Sequence, residues 1–212
     1  MKFATEKLVT VLALSACLGA GLGACAPILM GGAVMGSLMA TDRRTTGTQV
    51  DDEGIELRAA SRLREKLGER GHINVVSYNR QVLLTGEMPS AQDKQLAEQV
   101  VSRVENVRVI VNDLGIQANT TFSQRSSDVL ITGRVKAALV DAKDLFANSF
   151  KVVTERGTTY LMGRVTQREA NRATDIARST SGVLKVVRVL EIISEDELQG
   201  TLPRPAPVEI KK

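Results

Sequence analysis

Apolar residues recur along this chain in two rhythms that alternate. Ile55, Ala59 and Leu63 fall at every fourth position, as do Ile131, Val135 and Leu139, and each set lines one face of an amphipathic helix. Runs rich in β-branched and aliphatic residues follow. They are Ile73-Asn74-Val75-Val76-Ser77 and Val82-Leu83-Leu84-Thr85-Gly86 after the first helix, Phe150-Lys151-Val152-Val153-Thr154 and Thr159-Tyr160-Leu161-Met162-Gly163 after the second. Tyr78-Asn79-Arg80 and Glu155-Arg156-Gly157 separate the runs, which predicts two hairpins. Helical spacing returns with Ala91, Leu96, Val100 and Val104 in the first copy, from Ser90 on, and with Ala170, Ala173, Ile176 and Ala177 in the second. A last strand is expected over Val107 to Leu114 and over Val183 to Ile193.

The two copies are an internal repeat. Both paired runs sit 77 positions apart, and Asn106-Val107 matches Gly182-Val183 after a gap of one. The fold class that follows is α+β: two tandem αββαβ units, each a three-stranded mixed sheet packed against helices. Gly86 and Gly163 close the second strand of each unit, where a missing side chain allows a sharp bend or a close approach. Gly182 is the third structural glycine, and unit one has Asn106 in its place.

The N-terminus has a different character. Lys2 and Lys7 precede an apolar run from Leu8 to Leu22, and small residues then lead into Cys25, the layout of a secretory signal. Leu22-Gly23-Ala24-Cys25 reads as a bacterial lipoprotein box, cut before the cysteine whose thiol takes the lipid. Leu14-Ser15-Ala16-Cys17 fits the same pattern but leaves a core of only Leu8 to Ala13, so Cys17 is the alternative. Gly19, Gly21 and Gly23 count against a membrane-spanning anchor. Loss of Cys17 with the leader leaves one cysteine and no internal disulfide. The divisions are a leader over 1–24, a lipidated tether over 25–50, unit one over 51–117, a polar linker over 118–126, unit two over 127–194, and a disordered proline-rich tail over 195–212.

Charge separates the halves. Nine basic and eleven acidic residues lie between Asp51 and Gln117, net −2, against twelve and seven between Gln124 and Ser194, net +5. A basic half in an exported protein points to an anionic surface, lipid or cell-wall polymer, and not to nucleic acid. Catalysis finds little support. His72 is the single histidine, read as a solvent-exposed residue at the mouth of a strand. Neither a Cys-His pair nor a multi-histidine metal site can be built. Acidic clusters such as Asp51-Asp52 and Glu195-Asp196-Glu197 sit in linkers. The expectation is no catalytic residue, no metal and no cofactor.

The αββαβ order, the glycine closing the second strand and the Gly182-Val183-x-x-Val186 entry to the third resemble the BON domain. The segment from Asp42-Arg43-Arg44-Thr45 to Asp51-Asp52 is similar to the lead-in of dual-BON outer-membrane lipoproteins. That resemblance implies an anchored protein of the outer membrane facing the periplasm, in contact with phospholipid and supporting envelope integrity. An adaptor for an envelope protein or cell-wall polymer is the alternative. With Ile131, Val135 and Leu139 turned to the core, Leu130, Gly133, Arg134 and Ala137 form a second stripe. Asp128 reads as the N-cap, which would put Val129 and Leu130 at the helix tip, beside Lys136 and the positive end of the helix dipole. The phospholipid site expected is therefore Val129, Leu130, Gly133, Arg134, Lys136 and Ala137, unless Leu130 packs on unit one. The family often carries an aromatic where Leu130 stands, so insertion here is expected to be weaker.

Mass spectrometry of the mature N-terminus should find diacylation on Cys25. Lipid on Cys17, or an uncleaved leader, contradicts the reading.

Overall fold

The computed structural model describes residues 42–201. The leader, Cys25, Cys17, the tether to Ala40 and the tail past Thr201 lie outside the described residues. Unit one runs α1 (Thr46–Leu67), β1 (His72–Tyr78), β2 (Gln81–Met88), α2 (Ala91–Val101), β3 (Val109–Asn112) and β4 (Gly115–Ile116). Unit two runs α3 (Phe122–Asp141), a short 3-10 turn (Ala147–Ser149), β5 (Phe150–Glu155), β6 (Thr158–Thr166), α4 (Gln167–Ser179) and β7 (Lys185–Ile193). A final helix, α5 (Glu195–Thr201), follows.

Each sheet is mixed. β1 pairs antiparallel with β2, and β3 and β4 lie parallel to β2; β5 pairs antiparallel with β6, and β7 runs parallel to all of β6. The third strand of unit one is split because the Asn112 side chain accepts from the Leu114 amide and Leu114 turns into the core.

One buried carboxylate organises each unit. Asp52 on α1 accepts from the amides of Asn79 (2.8 Å) and Arg80 (2.7 Å), and Asp128 on α3 accepts from Arg156 and Gly157 at 2.8 Å each. These are the central residues of the two hairpin turns. All four have positive φ, between 50° and 70°, which is the turn that matches the twist of a two-residue hairpin. The carboxylate satisfies both turn amides and fixes the hairpin to the helix, so Asp128 is not an N-cap. Thr121 is the cap, in a reciprocal pair with Gln124. The helix is capped seven residues before the expected site, inside the segment read as a linker.

Alternation along the strands builds three cores. Val82, Leu84 and Met88 face α1 and α2, meeting Ile55, Ala59, Leu63, Ala97 and Val101. Leu161 and Val165 face α3 and α4, meeting Ile131, Val135, Leu139, Ala170, Ala173 and Ala177. The opposite sheet faces meet each other: Val76, Tyr78 and Leu83 of unit one pack on Tyr160, Met162 and Val189 of unit two. Each sheet is thus covered by helices on one face and by the other sheet on its second.

Several expectations change. The buried face of α2 is Ala97 and Val101, with Leu96 and Val100 at its margin and Ala91 exposed. The tail is helical from Glu195 to Thr201, where the Ser194 hydroxyl accepts from the Glu197 amide and Leu198 is buried. His72 opens β1 with its ring turned into the seam between the sheets, 3.7 Å from the buried Glu87. Asn106 takes a left-handed φ of 68°, where Gly182 has 96°; asparagine tolerates that region and Asn106 also bonds Asp51.

Gly86 and Gly163 face Ile73 and Phe150 across their hairpins. A Cβ on Gly86 would collide with the carbonyl of His72, and one on Gly163 with that of Ser149. Only Gly86 has a positive φ, 115°. At Gly163 the constraint is the contact and not backbone strain. Gly163→Val is expected to cost about 1–3 kcal/mol, while Gly133→Ala, which meets nothing within 4 Å, gains up to ~1 kcal/mol from helix propensity. Urea midpoints measure both, and the signs must differ.

Candidate functional site

The outer face of α3 carries an unusual load of apolar surface. Asp128, Ile131, Val135 and Leu139 point inward and are buried. Val129 (71 %) and Leu130 (62 %) are exposed, with Gly133, Arg134, Lys136 and Ala137 also on the solvent side. All six residues of the predicted phospholipid site therefore share an accessible helix surface, and Leu130 does not pack on unit one. Val129 and Leu130 lie seven and eight residues into the helix, roughly 10 Å from its start at 1.5 Å per residue. The dipole acts within the first turn, so it adds nothing there; attraction must come from side chains such as Arg134 and Lys136.

The surface is larger than the sequence suggested. Phe122 (81 %) and Val140 (69 %) share a stripe with Val129 and Lys136. The signal for Phe122 was present in Thr121-Phe122-Ser123-Gln124, whose first and fourth residues form a capping box. Leu184 (83 %) joins from the loop before β7. It lies over the turn that Asp128 holds, since a Cβ on Gly157 would meet it at 2.8 Å. The same loop reaches α3 through Arg134, which donates to the Ser181 carbonyl (3.4 Å), and through Gly182, where a Cβ would press on Ile131 at 2.8 Å.

A second polar constellation lies between the units. Lys151 of unit two donates to Glu56 (2.6 Å) and to the Ser77 carbonyl, Tyr160 donates to Asp113 (2.8 Å), and Asn79 donates to Glu191 (2.6 Å). The lead-in straps the seam. Arg43 makes a two-pronged pair with Glu169 of α4, both bonds 2.7 Å, and donates to the Arg164 carbonyl. Arg44 pairs with Asp42 and Asp52 and lies 4.2 Å over the Tyr78 ring. Burial pushes the Tyr78 phenol up to about 12. Burial also raises the Glu155 carboxyl, and the nearby Glu87 and Asp128 charges raise it further, to about 7. At Glu169 burial acts in the same direction, but the Arg43 fork, the Thr166 amide and the Arg43 charge outweigh it and hold that carboxyl below its ordinary range.

The BON domain family model matches residues 51–118 and 127–194, and the chain belongs to that family. It is similar to the outer membrane lipoprotein DolP of Haemophilus influenzae, 37 % identical over 174 residues, covering 81 % of this chain and 90 % of that one. It is also similar to a 21 kDa hemolysin of Actinobacillus pleuropneumoniae, 36 % identical, with 72 % and 79 % of the two chains covered. Among solved structures, a likeness to CdsD, a structural protein of the type III secretion system of Chlamydia trachomatis, covers 69 % of this chain and 98 % of that one. Its 13 % identity and TM-score of 0.29 are too low to bear on the fold. This is a dual-BON outer-membrane lipoprotein, and among the described residues no helix is long and apolar enough to cross a membrane.

Removing Arg43 leaves Glu169 buried and unpaired, so Arg43→Ala should cost about 3–5 kcal/mol. Because the folded-state value of Glu169 is depressed, the pair's contribution is full above the ordinary carboxylate range and is lost as pH falls through the lower folded value. Wild type should therefore lose stability on acidification more steeply than Arg43→Ala, as unfolding midpoints at a series of pH values will show.

Proposed function

We propose that this lipoprotein is a non-enzymatic membrane-docking protein whose second BON unit holds anionic phospholipid through the outer face of α3, and that this docking supports envelope integrity. The observation that carries the reading is the interleaving on one accessible helix surface of Phe122, Val129, Leu130 and Val140 with Arg125, Arg134 and Lys136. Exposed apolar side chains of this size mark contact surfaces when they cluster, and interspersed cations select an anionic one. Lys151 is spent on Glu56 across the seam, and Arg164 on Glu191 of β7 and Glu197 of α5. The cations on α3 remain turned to solvent.

The magnitudes fit weak docking. Burying one leucine contributes roughly 1.5–3 kcal/mol, and each basic residue near an anionic surface about 1 kcal/mol. Such a contact is reversible alone and becomes effective when an N-terminal lipid already holds the protein at the membrane.

The chain produced without its lipid anchor should float with anionic vesicles at low salt and less so at high salt, where charges are screened. Leu130→Glu should weaken flotation about tenfold or more while leaving the thermal midpoint unchanged, because its side chain is outside the core. Indifference to anionic vesicles, or full binding by folded Leu130→Glu, rejects the site. Sensitivity of a deletion strain to detergent and to large antibiotics tests the envelope role.

A further inference from the structure

We propose that His72, Glu87 and Glu155 form a binding site for a divalent transition-metal ion, with zinc the fitting member of that class, at the seam between the two BON units. The hairpin register sets His72 directly opposite Glu87 on the seam face of the first sheet, and Glu155 reaches them from the end of β5 in the second. One imidazole nitrogen and one carboxylate oxygen from each glutamate lie within 4.8 Å of one another.

Burial separates this group from a solvated acidic cluster. Glu87 is fully buried and Glu155 is 6 % exposed. Two ionised carboxylates side by side in such a place are stabilised by a cation. Glu87 is already oriented, since its Oε2 accepts from the amide (3.1 Å) and hydroxyl (3.2 Å) of Thr120, the kind of outer support that holds metal ligands. Its other oxygen and the Nδ1 of His72 have no hydrogen-bond partner among the described residues, although both atoms are buried.

Arg156 is the resident competitor. Its guanidinium lies 3.6 Å from Glu87 Oε1 and 29 % exposed, with one nitrogen unpartnered. It sits on the hairpin turn and has solvent to swing into. One imidazole and two carboxylates, with a coordination position left for water, suit zinc and not magnesium or calcium, which prefer all-oxygen ligand sets. Donor atoms around zinc stand roughly 3.3 Å apart at bond lengths near 2.0–2.1 Å, so side-chain rotations of an ångström or so close the sphere. Because the ligands come from both units, the metal would cross-link the seam.

The test uses the detergent-solubilised lipoprotein, stripped with a chelator and titrated with zinc, and separately with magnesium. Wild type should bind one zinc and gain thermal midpoint, with no response to magnesium. His72→Ala and Glu155→Gln should each weaken zinc binding tenfold or more, and Arg156→Ala should tighten it by removing the competing charge. Cobalt in place of zinc should give a visible absorption band that His72→Ala abolishes, a signature that stability changes alone do not produce. The proposal is overturned by no zinc uptake in wild type, by equal uptake in the His72 and Glu155 variants, or by weaker uptake in Arg156→Ala.

Discussion

Each BON unit depends on a carboxylate buried between its first helix and its hairpin. A two-residue turn with both residues at positive φ leaves two amides pointing out of the sheet's end, with no strand partner. Asp52 and Asp128 accept both. Leaving them unpaired would cost about 1–3 kcal/mol for each buried amide. The bond also sets the rotation of the helix about its own axis. With Asp128 inward, Ile131, Val135 and Leu139 must follow it onto the sheet, and Leu130, Arg134 and Ala137 must face out. The turn in turn fixes strand register, since a slip by one residue would exchange the two faces of the sheet. Val82 and Leu84 would then trade places with Leu83, and both the helix-side core and the seam would be lost.

The seam gives part of the charge asymmetry a second meaning. Acidic unit one and basic unit two suggest separate partners, yet Glu56 with Lys151 and Glu87 with Arg156 are pairs between the units. The lead-in adds an arginine to each side: Arg44 serves Asp52 and Tyr78 of unit one, and Arg43 serves Glu169 of unit two. A segment recognised in the sequence only as a familiar lead-in is a strap across the joint. Some of the opposite charge is thus internal complementarity. What remains outward on α3 is a smaller, better placed set of cations.

Periodicity made most of the fold legible. The inward stripes of α1 and α3, the hairpins and the tight glycines all follow from local patterns, because each is enforced within about twenty residues of chain. Long-range facts were not legible. Nothing in the spacing says that the second face of each sheet is covered by the other sheet, since Leu83 and Tyr160 read as members of buried runs either way. The misreading at Asp128 has the same origin. Aspartate is a good N-cap by type, and only the hairpin, 28 residues on in sequence, reveals that its carboxylate is already taken. His72 likewise looked like a loop residue until the second sheet closed over it. On the candidate docking face, the helix surface was readable from periodicity alone, while Leu184 joins it through a loop that no helical period reaches.

The strap also bears on how weak a docking face can be and still matter. Arg43 ties the chain to unit two, so about 17 residues separate Cys25 from a fixed point on the folded body, and they span at most ~60 Å when fully extended. With the lipid on Cys25, as expected from the sequence, a body confined to a half-sphere of that radius would experience the membrane at an effective concentration on the order of millimolar. A contact of about −4 kcal/mol corresponds to a Kd near 1 mM and is half-occupied under those conditions. One leucine and two cations on α3 suffice for that, by the magnitudes above. On the proposed docking, a stronger aromatic wedge is not required at Leu130, because a lipid on Cys25 would supply the proximity and the helix would have only to set the orientation.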